Sequence, residues 1–321
     1  MTTASTPMRV LGLIPYSRAG NLMGGFLMAA SMSLFVMNDS IMSSLQRPDN
    51  PFGAETLPLS TLVAVRSTWV GVLMLVLALS LRQPLSPRAA LTNRWNLARA
   101  GVEAAITFFF LSSLPFLPFA VAETLISSNP IFLVLLGIIL FGERVGWRRW
   151  LAIGIGFFGI ILASLAMDVE EFEAADFRWW AVFGCLTAAI LVAFRDVFTR
   201  YVGDTVPPVT VALSSALMVM ICGWVFSLWG WQTPDLKQLI LLFVSGFLVM
   251  GAYLSAVFAV RLGVFAVLGP LRFISLVVAF LIGLLFFGEP FSTWGFVGAA
   301  LIVGSALWIV FRQARLDATC A

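Results

Sequence analysis

The chain has 321 residues, of which 60% are hydrophobic and 11% charged, with a net charge of +3. Soluble proteins carry roughly 25% charged residues, so too little polar surface is present here to cover a water-soluble globule. The small, dispersed charge argues against nucleic-acid binding. Three scattered cysteines and no histidine provide neither a disulfide framework nor a metal-binding spacing.

The N-terminal stretch MTTASTPMRVLGLIPYSRAG is short and weakly basic, and it leads into a long apolar run with no clear small-residue cleavage site. That run is expected to be a first membrane helix, not a cleaved signal. Ten apolar segments follow one another at 20–46, 59–82, 97–116, 119–141, 147–167, 178–200, 207–230, 236–261, 264–287 and 292–311. Each is near the ~20 residues that cross a bilayer as a helix. The loops are short, the longest being 47–58, 83–96 and 168–177. The expected fold is an all-α polytopic membrane protein with ten transmembrane helices.

Charge sets the expected orientation, because Lys and Arg gather on the cytoplasmic side. With a cytoplasmic N-terminus, thirteen arginines fall inside, only Arg47, Arg178 and Lys237 fall outside, and Arg66, Arg195 and Arg272 lie within helices. Both termini are therefore expected in the cytoplasm of a multi-pass protein of the cell inner membrane.

The chain also resembles itself. The run 119–141, FAVAETLISSNPIFLVLLGIILF, is followed by Gly142-Glu143-Arg144, and the run from Ala266 to Phe287 is followed by Gly288-Glu289-Pro290. The two halves are expected at 20–167 (helices 1–5) and 178–311 (helices 6–10). Five helices per half is odd, so the second half enters from the opposite side. The result is two inverted five-helix repeats, an arrangement of secondary transporters that places substrate near the midplane.

Phe141-Gly142-Glu143-Arg144-Val145-Gly146-Trp147 with Gly154, Gly156 and Gly159 is echoed by Phe287-Gly288-Glu289-Pro290 with Gly295, Gly298 and Gly304. With Pro115 and Pro118 between helices 3 and 4, this doubled pattern resembles the EamA family of the drug/metabolite transporter superfamily over about residues 20–311. The resemblance implies a transporter of small organic metabolites. It is a family whose members move amino acids, vitamins such as riboflavin, S-adenosylmethionine and other solutes.

Residues 154–159, GIGFFG, match a dinucleotide-binding fingerprint literally, but that motif belongs between a strand and a helix. Inside an apolar helix, small residues four apart (Ala152 with Gly156 and Gly159 with Ala163, then Gly295 with Ala299 and Ala300 with Gly304 in helix 10) are expected to let helices approach closely. Glu143 and Glu289 are expected to cap the helix that follows each. Asn129-Pro130 is expected to kink helix 4 and to free a carbonyl toward a polar cavity.

Charged side chains inside the membrane are costly and call for a partner or a water-filled cavity. Asp39, Arg66 and Glu123 fall at similar depth and form a candidate outer layer, with Asp39 and Arg66 expected to pair. Glu103, Arg195, Asp196 and Arg272 form a candidate inner layer. Together with Trp69, Asn129 and Tyr253, these are the candidate substrate-binding or gating residues. Trp69, Trp224 and Tyr253 are placed to stack on a planar solute. Three positive and four negative side chains suit a zwitterionic or amphoteric solute.

The expected function is secondary transport of a small organic solute, amino acid, vitamin or nucleoside-like, across the bilayer by alternating access, with proton coupling and exchange both open. A channel-like or facilitated pore is the alternative. A membrane-embedded enzyme lacks its residues, with no nucleophile–base set and no catalytic or metal cluster. No cofactor and no nucleic acid are expected, and a homodimer stays open.

Overall fold

A computed structural model describes residues 18–48, 52–80, 85–141, 147–165, 179–202, 206–262, 271–289 and 293–319. Among these the regular structure is helical, with no strand. The helices are α1 (Arg18–Ser44), α2 (Leu59–Ser80), a short α3 (Pro87–Thr92), α4 (Arg94–Ser113), α5 (Phe119–Ile126), α6 (Asn129–Phe141), α7 (Trp147–Leu165), α8 (Trp179–Val202), α9 (Pro208–Ser227), α10 (Leu236–Leu262), α11 (Ile274–Phe286) and α12 (Thr293–Thr319). Six helices among the described residues are long and apolar enough to cross a membrane. The outside of the bundle is apolar: Leu75, Leu79, Phe158, Ile161, Phe183, Phe247 and Leu285 are all exposed. Backbone polar groups held within helices and an apolar exterior suit hydrocarbon.

The chain packs in pairs. α1 lies on α10, α4 on α8, α2 on α9 and α7 on α12. Further contacts join α4 with α9, α2 with α10, α6 with α8, α1 with α11, and α5 with α11. Phe119, Leu62, Leu111, Leu114, Leu117 and Ile131 are fully buried in the main apolar core.

Small residues set the closest approaches. A methyl group on Gly159 would sit 2.8 Å from the carbonyl oxygen of Gly298, and one on Gly156 would overlap Ile131 and come within 2.8 Å of the Ser305 hydroxyl. The expected close approach at small residues is present at these two positions, and the partner it brings to α7 is α12. Gly154 and Gly304 take no part in it, having nothing within 4 Å of an added methyl.

Two expected helices are broken. The run 119–141 is α5 and α6, separated by a turn at Ser127 and Ser128. Pro130 is the second residue of α6 and has no N–H to continue the ladder. The carbonyls it would have left bare are satisfied locally. The Ser128 hydroxyl donates to Leu125 O at 2.6 Å, and the Asn129 amide donates to Ile126 O at 3.1 Å. The expected freed carbonyl facing a cavity is therefore replaced by a self-contained turn. The second break is at Arg272 and Phe273, immediately before α11, so Arg272 stands in a turn and not two turns into a helix. Glu143 and Pro270 lie outside the described residues.

Candidate functional site

The charged residues form two groups inside the bundle. In the first, Glu103 on α4 accepts a hydrogen bond from the Tyr253 hydroxyl on α10 at 2.8 Å. Its other oxygen lies 3.5 Å from the Arg195 guanidinium on α8. Arg195 also reaches Asp196 at 3.2 Å, and Asp196 reaches Arg272 at 3.7 Å. The expected inner layer is thus one continuous chain of charges, Glu103–Arg195–Asp196–Arg272, drawn from α4, α8 and the turn before α11. Arg99 adds its charge to Glu103 and Asp196, while donating to Thr199 at 2.9 Å and Ser215 at 2.5 Å. Charges paired in this way are how a bundle interior tolerates them.

The second group is sparser. Arg66 on α2 is only 8% exposed and Glu123 on α5 only 4%. Asp39 on α1 accepts a hydrogen bond from Asn38 at 2.8 Å, and Asn38 in turn accepts one from Ser245 on α10 at 2.5 Å. Asp39 is the dominant countercharge of Arg66, and Glu103 is a weaker one. The expected Asp39–Arg66 ion pair is not made: no salt bridge within 4.0 Å joins them among the described residues. Glu123 neighbours Asp39 and Cys185 of α8. The buried Arg66 Nε, Glu123 Oε1 and Ser43 Oγ have no hydrogen-bond partner. Buried polar groups are nearly always satisfied, so these exceptions mark the region as one able to take up a polar group.

Aromatic candidates divide. Tyr253 meets Phe35 edge-to-face at 5.3 Å beside its contact with Glu103, and so belongs to the charged interior. Trp69 packs edge-to-face on Phe243 at 5.1 Å. Trp224 faces outward, stacked on Trp231 at 5.4 Å with its indole N–H donating to Thr68, and does not line this region. Asn129 is committed to the α5–α6 turn.

Arg47 and Glu289 form a third site at one end of the bundle, which sequence reasoning only half anticipated. Glu289 does cap a helix, but it caps α5 and not the helix that follows it. Its carboxylate accepts from Phe119 N at 2.6 Å and from Ala120 N at 3.4 Å. Gly288, at φ 62°, makes the turn that delivers it. Arg47 binds the same carboxylate at 3.0 Å, donates to Leu114 O and Leu117 O, and lies over the Phe287 ring.

The sequence matches the EamA-like transporter family over residues 24–165 and again over 179–311. The chain belongs to the EamA-like transporter family. Membership makes it a multi-pass membrane transporter and not an enzyme. A riboflavin transporter of Rhizobium johnstonii is 28% identical over 70% of this EamA chain and 71% of its own length. An S-adenosylmethionine uptake transporter of Rickettsia bellii is 24% identical over 65% of this chain and 71% of its own. One crystal structure aligns with 94% of this chain and 100% of its own at a TM-score of 0.58 and 19% identity, a likeness of fold.

Proposed function

We propose that this EamA protein is a secondary transporter that carries a small organic metabolite across the cell inner membrane by alternating access between two inverted five-helix repeats, with both termini cytoplasmic. The observation that carries it is the linked charged set between the halves: Glu103 belongs to the first half, and Tyr253, Arg195, Asp196 and Arg272 to the second.

Helix packing supports the inverted repeat. Exchanging the halves turns α1 on α10 into α8 on α4, α4 on α9 into α10 on α2, and α6 on α8 into α11 on α1. The pairs α2–α9 and α7–α12 map onto themselves. α6 and α11 are each 13 residues long, each follows a turn, and each precedes a Gly-Glu.

Two ion-pair sets support gating. Arg47–Glu289 joins the loop after α1 to the end of α11, on the side the charge bias places outside. Glu103–Arg195–Asp196–Arg272 joins the halves toward the other side. Alternate breaking of the two would open each side in turn, with Asp39, Arg66, Glu123, Trp69 and Tyr253 between them. The relatives named for riboflavin and S-adenosylmethionine support a small organic metabolite as cargo.

The test is counterflow in proteoliposomes across amino acids, riboflavin, S-adenosylmethionine and nucleosides. Saturable counterflow of one solute, lost in folded Arg66→Gln, is expected. Unsaturable flux would instead indicate a pore, and full activity in Arg66→Gln would remove Arg66 from the site.

A further inference from the structure

The two charged groups differ in how their charges are matched. In the inner group, each carboxylate faces at least two cations: Glu103 faces Arg195 and Arg99, and Asp196 faces Arg195, Arg272 and Arg99. In the outer group, two carboxylates share one guanidinium, because Asp39 faces Arg66 while Glu123 faces Asp39 alone. Arg66 is itself divided, since Glu103 and the Tyr253 hydroxyl also face it. Around Glu123 the described neighbours are Asp39 from α1, a like charge, and the Cys185 thiol from α8. Glu123 is 4% exposed and its Oε1 has no hydrogen-bond partner. A buried carboxylate held against another carboxylate, without a cation or a donor on one oxygen, is an arrangement a positive ligand completes.

We propose that Glu123 receives a cationic centre of the transported solute, and that the site therefore selects a solute carrying one net positive charge over an uncharged or net-neutral analogue. This rests on the transporter reading above and adds the charge class of the cargo. Asp39 lies beside the incoming charge. Ser43, one helical turn beyond Asp39 on α1 and fully buried, supplies a hydroxyl with no partner of its own.

S-adenosylmethionine and S-adenosylhomocysteine test the idea directly, because they differ by the methyl group that makes the sulfur a charged sulfonium. Binding of each to the purified chain is measured at neutral pH by intrinsic tryptophan fluorescence. The sulfonium compound is expected to bind at least about tenfold more tightly, the size of one modest charge interaction. Glu123→Gln is expected to bring that ratio close to one, because it removes the carboxylate that faces the cation in the bound state. Glu123→Asp is expected to keep the preference. If the Gln variant does not elute as folded protein, Asp39→Asn removes the same charge from the neighbouring position and is expected to reduce the ratio likewise. Equal affinities in the unmodified chain, a preference that survives removal of the carboxylate, or no binding of either compound would each overturn the inference. The counterflow panel keeps the two proposals apart. Transport of a net-neutral solute with no sulfonium preference sinks the charge selection and leaves the transporter standing, whereas no saturable transport of any solute sinks both.

Discussion

Arg47 and Glu289 are 242 positions apart in sequence, yet the guanidinium and carboxylate meet at 3.0 Å, over the N-terminus of a third segment. Glu289 neutralises Arg47 and occupies the open N–H groups of α5 at once, while Arg47 ties down the carbonyls of Leu114 and Leu117. Both side chains are nearly buried. Removing one partner of such a pair costs about 3–5 kcal/mol when the charge left behind cannot reach water. Glu289→Ala is therefore expected to lower thermal stability in detergent strongly. Glu289→Gln is expected to be milder, since its amide oxygen still accepts from Phe119 N. In a double-mutant cycle with Arg47→Ala, the losses are expected to fall short of additivity by about 1–3 kcal/mol. Strict additivity would show that the contact contributes nothing.

The inner chain of charges predicts an asymmetry. Arg195 serves two carboxylates, Glu103 and Asp196, whereas Glu103 has both Arg195 and the Tyr253 hydroxyl. Arg195→Gln thus weakens the charge match of two carboxylates at once, leaving Asp196 with Arg272 and Glu103 with the Tyr253 hydroxyl and Arg99, whereas Glu103→Gln leaves Arg195 paired with Asp196. Arg195→Gln is expected to be the more damaging single change, by about 1–3 kcal/mol. Adding Glu103→Gln to it is expected to recover part of the loss. Thermal unfolding of the three variants checks this, and a double variant worse than either single one would rule out the shared ion pair.

Helix packing gives a matched pair of glycine predictions. Gly156 is enclosed by Ile131 and Ser305, while nothing lies within 4 Å of a methyl group on Gly304. Gly156→Val is expected to push α7 away from its neighbours and cost about 1–3 kcal/mol, with more if the backbone cannot shift. Gly304→Ala is expected to stay within about 0.5 kcal/mol of the parent. Melting temperatures of the two variants decide the matter, and a tolerant Gly156 would mean the α7–α12 contact is looser than the structure draws it.

Much of this architecture was readable in the sequence, because bilayer physics writes it there. Apolar runs of spanning length mark the helices, and rare internal charges mark the places where the bundle must match them. The inner layer, read from depth alone, is joined in space as Glu103, Arg195, Asp196 and Arg272. What the sequence could not convey was partner choice across the chain. Depth put Asp39 level with Arg66, but could not show that the two stay unpaired while the Asp39 carboxylate takes the amide of its neighbour Asn38. Gly-Glu after an apolar run signals a cap, but the capped helix is a tertiary fact, and Glu289 reaches back 170 residues to Phe119. Asn38 and Ser245, two ordinary polar residues in apolar helices, gave no spacing signal, yet they link α1 to α10 beside Asp39.

The α5–α6 turn carries the last prediction. Pro130 removes one donor from the helix ladder, and the side chains of Ser128 and Asn129 take over the carbonyls of Leu125 and Ile126 at 2.6 and 3.1 Å. Ser128 is completely buried, so water cannot replace its hydroxyl. Ser128→Ala is expected to remove one of the hydrogen bonds to the Leu125 carbonyl, which keeps the Ser128 backbone N–H at 3.2 Å, at a cost of about 0.5–1.5 kcal/mol. Asn129→Ala is expected to cost less, because Asn129 is only partly buried. Ser128→Thr keeps the hydroxyl and is expected to retain most of the stability, which separates the hydrogen bond from the space it fills. Glu123 stands one turn before this break, and its position depends on the angle at which α5 meets α6. Ser128→Ala is therefore also expected to weaken solute binding, whereas Gly304→Ala, remote from the turn, leaves it unchanged. Equal effects of the two substitutions on binding would show that the turn does not position the site.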